Sequence, residues 1–424
     1  MEKPVILGGK PVLTSPLPRT NNIDEKEKSA AMRVLDSGVL SDFIGNAGDK
    51  FLGGKEVLQL EEYFKERFKV KHAVTFNSAT TALEAAICAL GIGPGDEVIV
   101  SPYTMSATAT SILMNMATPV FADIETDTFN LDPKSIIKNI TSKTKAIFVV
   151  NLFGGSARYD EILKIAKENN IKIIEDNAQG MGGKYGEKHL GAIGDIGVFS
   201  FNCHKTIQCG EGGVLVTNNQ RYAYRAQLKR NHGEVVADAL RIDEAVLGSN
   251  YRLTELQAAI AVEQLKKLDF LNEKRIRLAN YLTEKLREIP GFTPPFVLPD
   301  TKHVYYLYPI KFDEQKVGIS RSLFAKAMEK EGFLLNQGYV KPIYLMKIFQ
   351  EKKIFPHSHF PFENENYSEG ICPNTEWLYH KELLYTNICR HPLTTEHIDL
   401  FVMAIKKVIA HASELNSFER ASRT

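Results

Sequence analysis

Long apolar runs are missing from this sequence. Its most apolar longer stretch, 105–121, is broken by Ser, Thr, Asn and Pro. A membrane-spanning helix needs about 20 consecutive apolar residues, so none is expected. The opening MEKPVILGGKPV has no apolar segment behind a basic one and no small-residue cleavage site. It does not read as a secretory leader. An excess of one charge is absent too: 52 Lys and Arg stand against 51 Asp and Glu. That leaves no basic field of the kind that holds nucleic acid or a membrane surface. The five cysteines (Cys88, Cys203, Cys209, Cys372, Cys389) are odd in number and form no CxxC pair. Such usage suits a reducing cytoplasm better than a disulfide framework or a zinc site. The histidines form no HxxxH or other compact ligand pattern, so no metal is expected.

What is present is an ordinary globular composition, 44% apolar and 24% charged over 424 residues. That length favours two domains over one. From 73 to 218, short β-rich runs alternate with helical ones. AVTF, DEVIVSP, PVFADI, AIFVVNLFG, IKIIEDN, GVFSF and GGVLVTN read as strands, and ATTALEAAICAL and DEILKIAKE as helices. Apolar strands alternating with helices predict an α/β domain with a largely parallel, doubly covered sheet. A periodic helix is expected over 254–268. Beyond it, strands such as HVYYLYPIKF mixed with helices predict a smaller α+β domain. The expected division is an arm and large domain over 1–265 and a small domain over 266–424. Lys341 and Tyr344, in YVKPIYLMKIF, read as a surface loop, and the polar tail ELNSFERASRT as frayed.

Ligands of open α/β sheets collect at the carboxyl ends of the strands. Asp176 closes IKIIEDN, Ser200 lies in GVFSF, and Lys205 follows five residues later. Phe76-Asn77-Ser78-Ala79-Thr80-Thr81 joins a strand to a helix N-terminus, where free N–H groups and the helix dipole favour a phosphate. Taken singly, these are equally a cap, a capping carboxylate and a solvated lysine. Together they supply what pyridoxal 5′-phosphate (PLP) chemistry needs: an amine to hold the cofactor, an acid to keep its ring nitrogen protonated, and a phosphate cup.

The run EDNAQGMGGKYGEKHLGAIGDIGVFSFNCHKTIQCGEGGVLVTNN, 175–219, resembles the cofactor segment of DegT/StrS-type sugar aminotransferases, which are fold type I PLP enzymes. FNSATTALEAAICALGIGPGDEVIVSPYTMSATA, GSNYRLTELQAA, RNHG and RHPLTTEHID are similar to further motifs of that family, in the same order. The resemblance implies that Lys205 bonds the cofactor and shuttles the proton. It implies that Asp176 pairs with the ring nitrogen and that Gln179 lies near the ring hydroxyl. Ser200, Ala79 and Thr80 would hold the phosphate. Asn250 would reach the phosphate of a neighbouring subunit, making a homodimer with shared active sites.

Two positions depart from the family pattern. Met105 stands where an aromatic residue usually stacks on the ring, and a thioether covers a ring face less fully. Ser78-Ala79-Thr80 stands for a common Ser-Gly-Thr. Some relatives carry His in place of the lysine and act as dehydratases. Here Lys205 fills that position and His204 lies one residue off, which favours transamination. The resemblance therefore implies transfer of an amino group from L-glutamate or L-glutamine to a keto-sugar, expected to be a nucleotide-linked hexose. A keto-cyclitol aminotransferase using L-glutamine and a PLP-dependent sugar dehydratase are the alternatives.

Overall fold

The computed structural model describes residues 2–233, 246–362 and 366–421. Its central sheet is built from β1 (His72–Phe76), β2 (Glu97–Val100), β3 (Thr118–Phe121), β4 (Thr144–Val150), β5 (Lys172–Asp176), β8 (Ile196–Ser200) and β9 (Gly213–Thr217), in the order β1-β9-β8-β5-β4-β2-β3. β9 runs against both neighbours, and the remaining pairings are parallel. A small hairpin, β6 (Lys184–Tyr185) with β7 (Lys188–His189), lies outside this sheet and pairs with β11 (Thr301–Lys302).

Alternate side chains of each strand face opposite layers. Val198 and Leu215 pack on one side with Ala82, Ala86 and Ile87 of α3 (Ala79–Ala89). Phe199, Val214 and Val216 pack on the other with Leu60, Phe64 and Phe68 of α2 (Lys55–Phe68). Burial on both faces explains why these strands read as continuous apolar runs. The sheet matches the α/β expectation.

The helix Glu255–Arg287 is twice as long as the periodicity over 254–268 indicated. Its start is fixed by a Thr254–Gln257 capping box, and no Gly or Pro interrupts it before Pro290. Leu265 and Leu268 pack under the large sheet, whereas Leu278, Leu282 and Leu286 enter a second core. One helix thus serves both cores and runs unbroken through 265/266. The second core lies on the sheet β10 (Phe292–Thr293), β12 (Tyr308–Phe312), β14 (Leu383–Thr386) and β13 (Asn336–Gln337), in that order.

Several local expectations are corrected. Within HVYYLYPIKF the strand is confined to Tyr308–Phe312, because Val304 N–H bonds to Gly154 O at 2.9 Å and Tyr305 takes a positive φ of 47°. The tail is helical over Ala412–Ala421 and buries Leu415 in the second core. Tyr344 lies in no surface loop. It is fully buried against Phe121, and its hydroxyl donates to Glu376. Tyr344, Phe349 and Tyr367 thereby cover edge strand β3, with Tyr367 Oη donating to Pro119 O at 2.8 Å, and so protect the sheet edge. The arm also packs on the second core: Val5 and Val12 N–H groups bond to the buried Glu331 carboxylate at 2.8 and 3.0 Å.

Candidate active site

The carboxyl ends of β1, β5 and β8 and the start of β9 share one edge. Gly213 stands directly across from both Phe76 and Ser200. A Cβ at Gly213 would lie 2.6 Å from Ala79 N and from the Ser78 carbonyl. The glycine therefore lets the start of α3 rest on the strand backbone. Ser78 caps this helix by accepting from Thr81 N–H at 3.2 Å. The Ala79 and Thr80 amides open the helix, where no intrahelical carbonyl is in reach. Ser200 is buried, and its hydroxyl accepts a long 3.3 Å bond from Asn202 N–H. Ser200 and the start of α3, with Ala79 and Thr80, thus both adjoin Gly213.

Asp176 ends β5 in a buried position. Thr108 of α4 (Ser106–Met114) donates to its Oδ2 at 2.7 Å, and Ala178 N–H to its Oδ1 at 3.1 Å. Burial pushes the carboxyl above its usual range, against the pull of these hydrogen bonds and of Lys205. Lys205 has the converse shift. Burial draws its amine below the ordinary lysine value, and Asp176 offsets this only in part. The Lys205 Nζ lies 4.7 Å from the centroid of the Tyr306 ring. A lysine drawn toward its neutral form is nucleophilic, and a nearby buried acid is matched to a protonated heterocyclic nitrogen.

Gln179 is buried and oriented at both ends: Oε1 accepts from Phe153 N–H at 2.9 Å, and Nε2 donates to Tyr339 Oη at 2.8 Å. Its second amide hydrogen remains for a ligand oxygen. Met105 is 60% exposed just before α4. Asn250 is exposed on a strip that pairs with Asn231, and the next residue accepts from Asn77 N–H at 2.8 Å, so this strip abuts the phosphate cup. His204 is exposed beside Lys205, in a cleft of about 340 Å³ that both residues line.

Sequence reasoning missed four contributors. Thr108, three residues after Met105, was within reach of a helical reading. Tyr306, Tyr339 and Arg275 come from the far half of the chain and carry no local signal. Arg275 donates to the Tyr305 and Tyr306 carbonyls at 3.2 and 2.9 Å, which holds Tyr306 under the lysine.

The residues fit PLP: a glycine-backed anion cup and a buried acid lie at one sheet edge, and the half-buried Lys205 amine is near enough to Asp176 to feel its charge. Among the described residues no group of His, Cys, Asp and Glu is placed to hold a metal ion, and no helix is long and apolar enough to cross a membrane. Fold and site together define an aminotransferase of PLP fold type I. The chain belongs to the DegT/DnrJ/EryC1/StrS aminotransferase family, whose model matches residues 21–405. It is 35% identical over 347 residues to the spore coat polysaccharide biosynthesis protein SpsC of Bacillus subtilis, covering 80% of this chain and 86% of that one. It is 36% identical over 305 residues to GDP-perosamine synthase of Caulobacter vibrioides, covering 71% and 79%. The solved structure of Helicobacter pylori PseC, an aminotransferase involved in the biosynthesis of pseudoaminic acid, superposes with a TM-score of 0.77 at 30% identity, covering 92% of this chain and 97% of that one.

Proposed function

We propose that this chain binds PLP between Asp176 and Lys205 and moves the amino group of L-glutamate or L-glutamine onto the ketone of a nucleotide-linked sugar. One observation supports the reading: in a chain of this family, the acid and the glycine-backed helix start share a sheet edge, with the Lys205 amine near enough to Asp176 to feel its charge. When bound, PLP supplies an aldehyde that takes up the amino group and an electron-poor ring that eases loss of the donor's Cα proton. Lys205 would accept that proton and return it on the far side of the transferred nitrogen, a task suited to an amine whose pKa burial has lowered. Asp176, steadied by Thr108, keeps a negative charge opposite the ring nitrogen. Ser200 and the Ala79 and Thr80 amides hold the phosphate, Gln179 meets the ring hydroxyl, and Met105 covers a ring face.

A homodimer with shared sites belongs to the same proposal. Met32, Leu35, Val39, Leu40 and Ile44 are each close to half exposed in the single chain, an apolar run that a second copy would cover. Asn250 then serves the neighbour's phosphate. A cytoplasmic setting suits the five unpaired cysteines. The names of the relatives favour a nucleotide sugar on a route to surface polysaccharide. Lys205 at the position where dehydrating relatives carry His speaks against dehydration. The keto-cyclitol reading remains the second one, on the LGGKPV start and the FLGGKEVLQLE segment. Incubating the holoprotein with each donor and a panel of keto-sugars and keto-cyclitols, followed by mass spectrometry, decides between them. An aminated nucleotide sugar supports the proposal; amination of cyclitols alone overturns its substrate.

A further inference from the structure

Gln179 is gripped by two aromatic residues in left-handed backbone conformations. Phe153, just past β4, has a φ of 57° and donates its N–H to Gln179 Oε1 at 2.9 Å. Tyr339, just past β13, has a φ of 64° and accepts from Gln179 Nε2 at 2.8 Å. Bulky side chains rarely adopt this conformation, and it persists where the surroundings dictate it, often at functional sites. The surroundings of Tyr339 do so from both sheets. Its ring meets those of Phe153 at 4.9 Å, Tyr385 at 5.7 Å and Tyr103 at 5.8 Å, all edge to face. The preceding Gly338 also has a positive φ, of 72°, and its N–H bonds to Leu383 O at 2.9 Å. Its carbonyl accepts from the hydroxyl of the buried Tyr103, which lies shortly before Met105. Gly338 and Tyr339, adjacent in the far half of the chain, thus hold the two segments that carry Met105 and Gln179.

We propose that Tyr339 is a positioning residue: it fixes the tilt of the Gln179 amide, and so how squarely that amide donates to the ring oxygen of bound PLP. This rests on the reading that PLP binds here with Gln179 at its ring hydroxyl. Burial first, then Tyr306 and lesser neighbours that include Asp176, hold the Tyr339 hydroxyl well above the usual phenol range, so it stays a neutral partner. Without that hydroxyl Gln179 keeps a single anchor, the Phe153 N–H, about which its Nε2 end can swing. A hydrogen bond to the charged form of a group favours that form. Negative charge on the ring oxygen accompanies loss of the proton from the nitrogen that joins PLP to Lys205. A weaker donation from Gln179 should therefore raise the pH at which that proton leaves.

Absorbance of the holoprotein, titrated against pH, reads that midpoint, because the bound cofactor changes colour as the proton leaves. Tyr339→Phe keeps the ring and removes only the hydroxyl. It should raise the midpoint by about 0.5 to 1 pH unit, the worth of one modest hydrogen bond. Gln179→Ala should raise it at least as far, and Tyr339→Phe added to Gln179→Ala should raise it no further, since the hydroxyl acts through the amide. A role confined to folding would lower the melting temperature of Tyr339→Phe and leave the midpoint in place. That result overturns the proposal. So does a cofactor band that keeps one form in both proteins across their stable pH range, or a full Tyr339 effect once the Gln179 side chain is gone. A chain that never takes up PLP refutes the site reading and this proposal with it. The expected shifts in a holoprotein that yields keto acid from neither glutamate nor glutamine would refute the aminotransferase reading and leave the positioning role standing.

Discussion

Gly213→Ala tests how the phosphate cup is built. The added Cβ would meet Ala79 N and the Ser78 carbonyl carbon and oxygen at 2.6 Å, all of them backbone atoms that no side-chain rotation can move aside. Relief to an ordinary contact of about 3.5 Å requires the start of α3 to retreat by about 0.9 Å. An amide-to-phosphate bond of about 2.9 Å, stretched by that amount, leaves hydrogen-bonding range. If the Ala79 and Thr80 amides together lose the worth of one charged bond, the cost is about 2 kcal/mol, or roughly 30-fold in PLP affinity. Overpacking adds about 1–3 kcal/mol of lost stability. Absorbance titration of the apoprotein with PLP reads the affinity, and a cooperative melt of the same sample confirms folding. A folded variant whose PLP affinity lies within about twofold of wild type would show that the cup does not rest on this glycine.

Other expectations follow from the same geometry. Asp176→Asn removes the charge that faces the ring nitrogen and should lower turnover on the order of 10²- to 10³-fold while PLP stays bound, as steady-state rates and cofactor absorbance will tell. Thr108→Val deletes a hydrogen bond that favours the ionised acid; the acidic limb of the pH–rate profile should move to higher pH, and an unmoved limb argues that Thr108 does not tune Asp176. Lys205→Met should melt higher than wild type as apoprotein at pH 7, because a lysine with a depressed folded pKa costs stability while it is protonated in the unfolded chain. The unfolded state binds more protons between the two pKa values, so wild-type stability rises with pH there, and the gap between the two melts should narrow toward about pH 10. Mixing inactive Lys205→Ala and Asn250→Ala chains after dissociation should restore about a quarter of wild-type activity if each site takes one residue from each copy; no recovery would place both residues in the same subunit's site.

Much of the large domain was legible in the sequence because its strands are buried on both faces and read as unbroken apolar runs. Asp176, Ser200 and Lys205 were legible because each follows such a run within a few residues. The second core was less so. The helix Glu255–Arg287 changes the face it buries midway, and a periodicity judged over 254–268 stops at that change. Tyr344 sits in a stretch with no strand or helix pattern and Leu415 in a polar one, and the burial of both depends on partners hundreds of residues away, Phe121 and the arm among them. The same distance hid Tyr306 and Arg275, which line the cleft beside Lys205 from the far half of the chain.

The claim at the centre is that Lys205 and Asp176 serve an amino transfer. Holoprotein mixed with L-glutamate or L-glutamine, and no acceptor, should release one keto acid per bound cofactor and then stop, with the cofactor absorbance converted in step. No keto acid from either donor, with PLP demonstrably bound at Lys205, would contradict it.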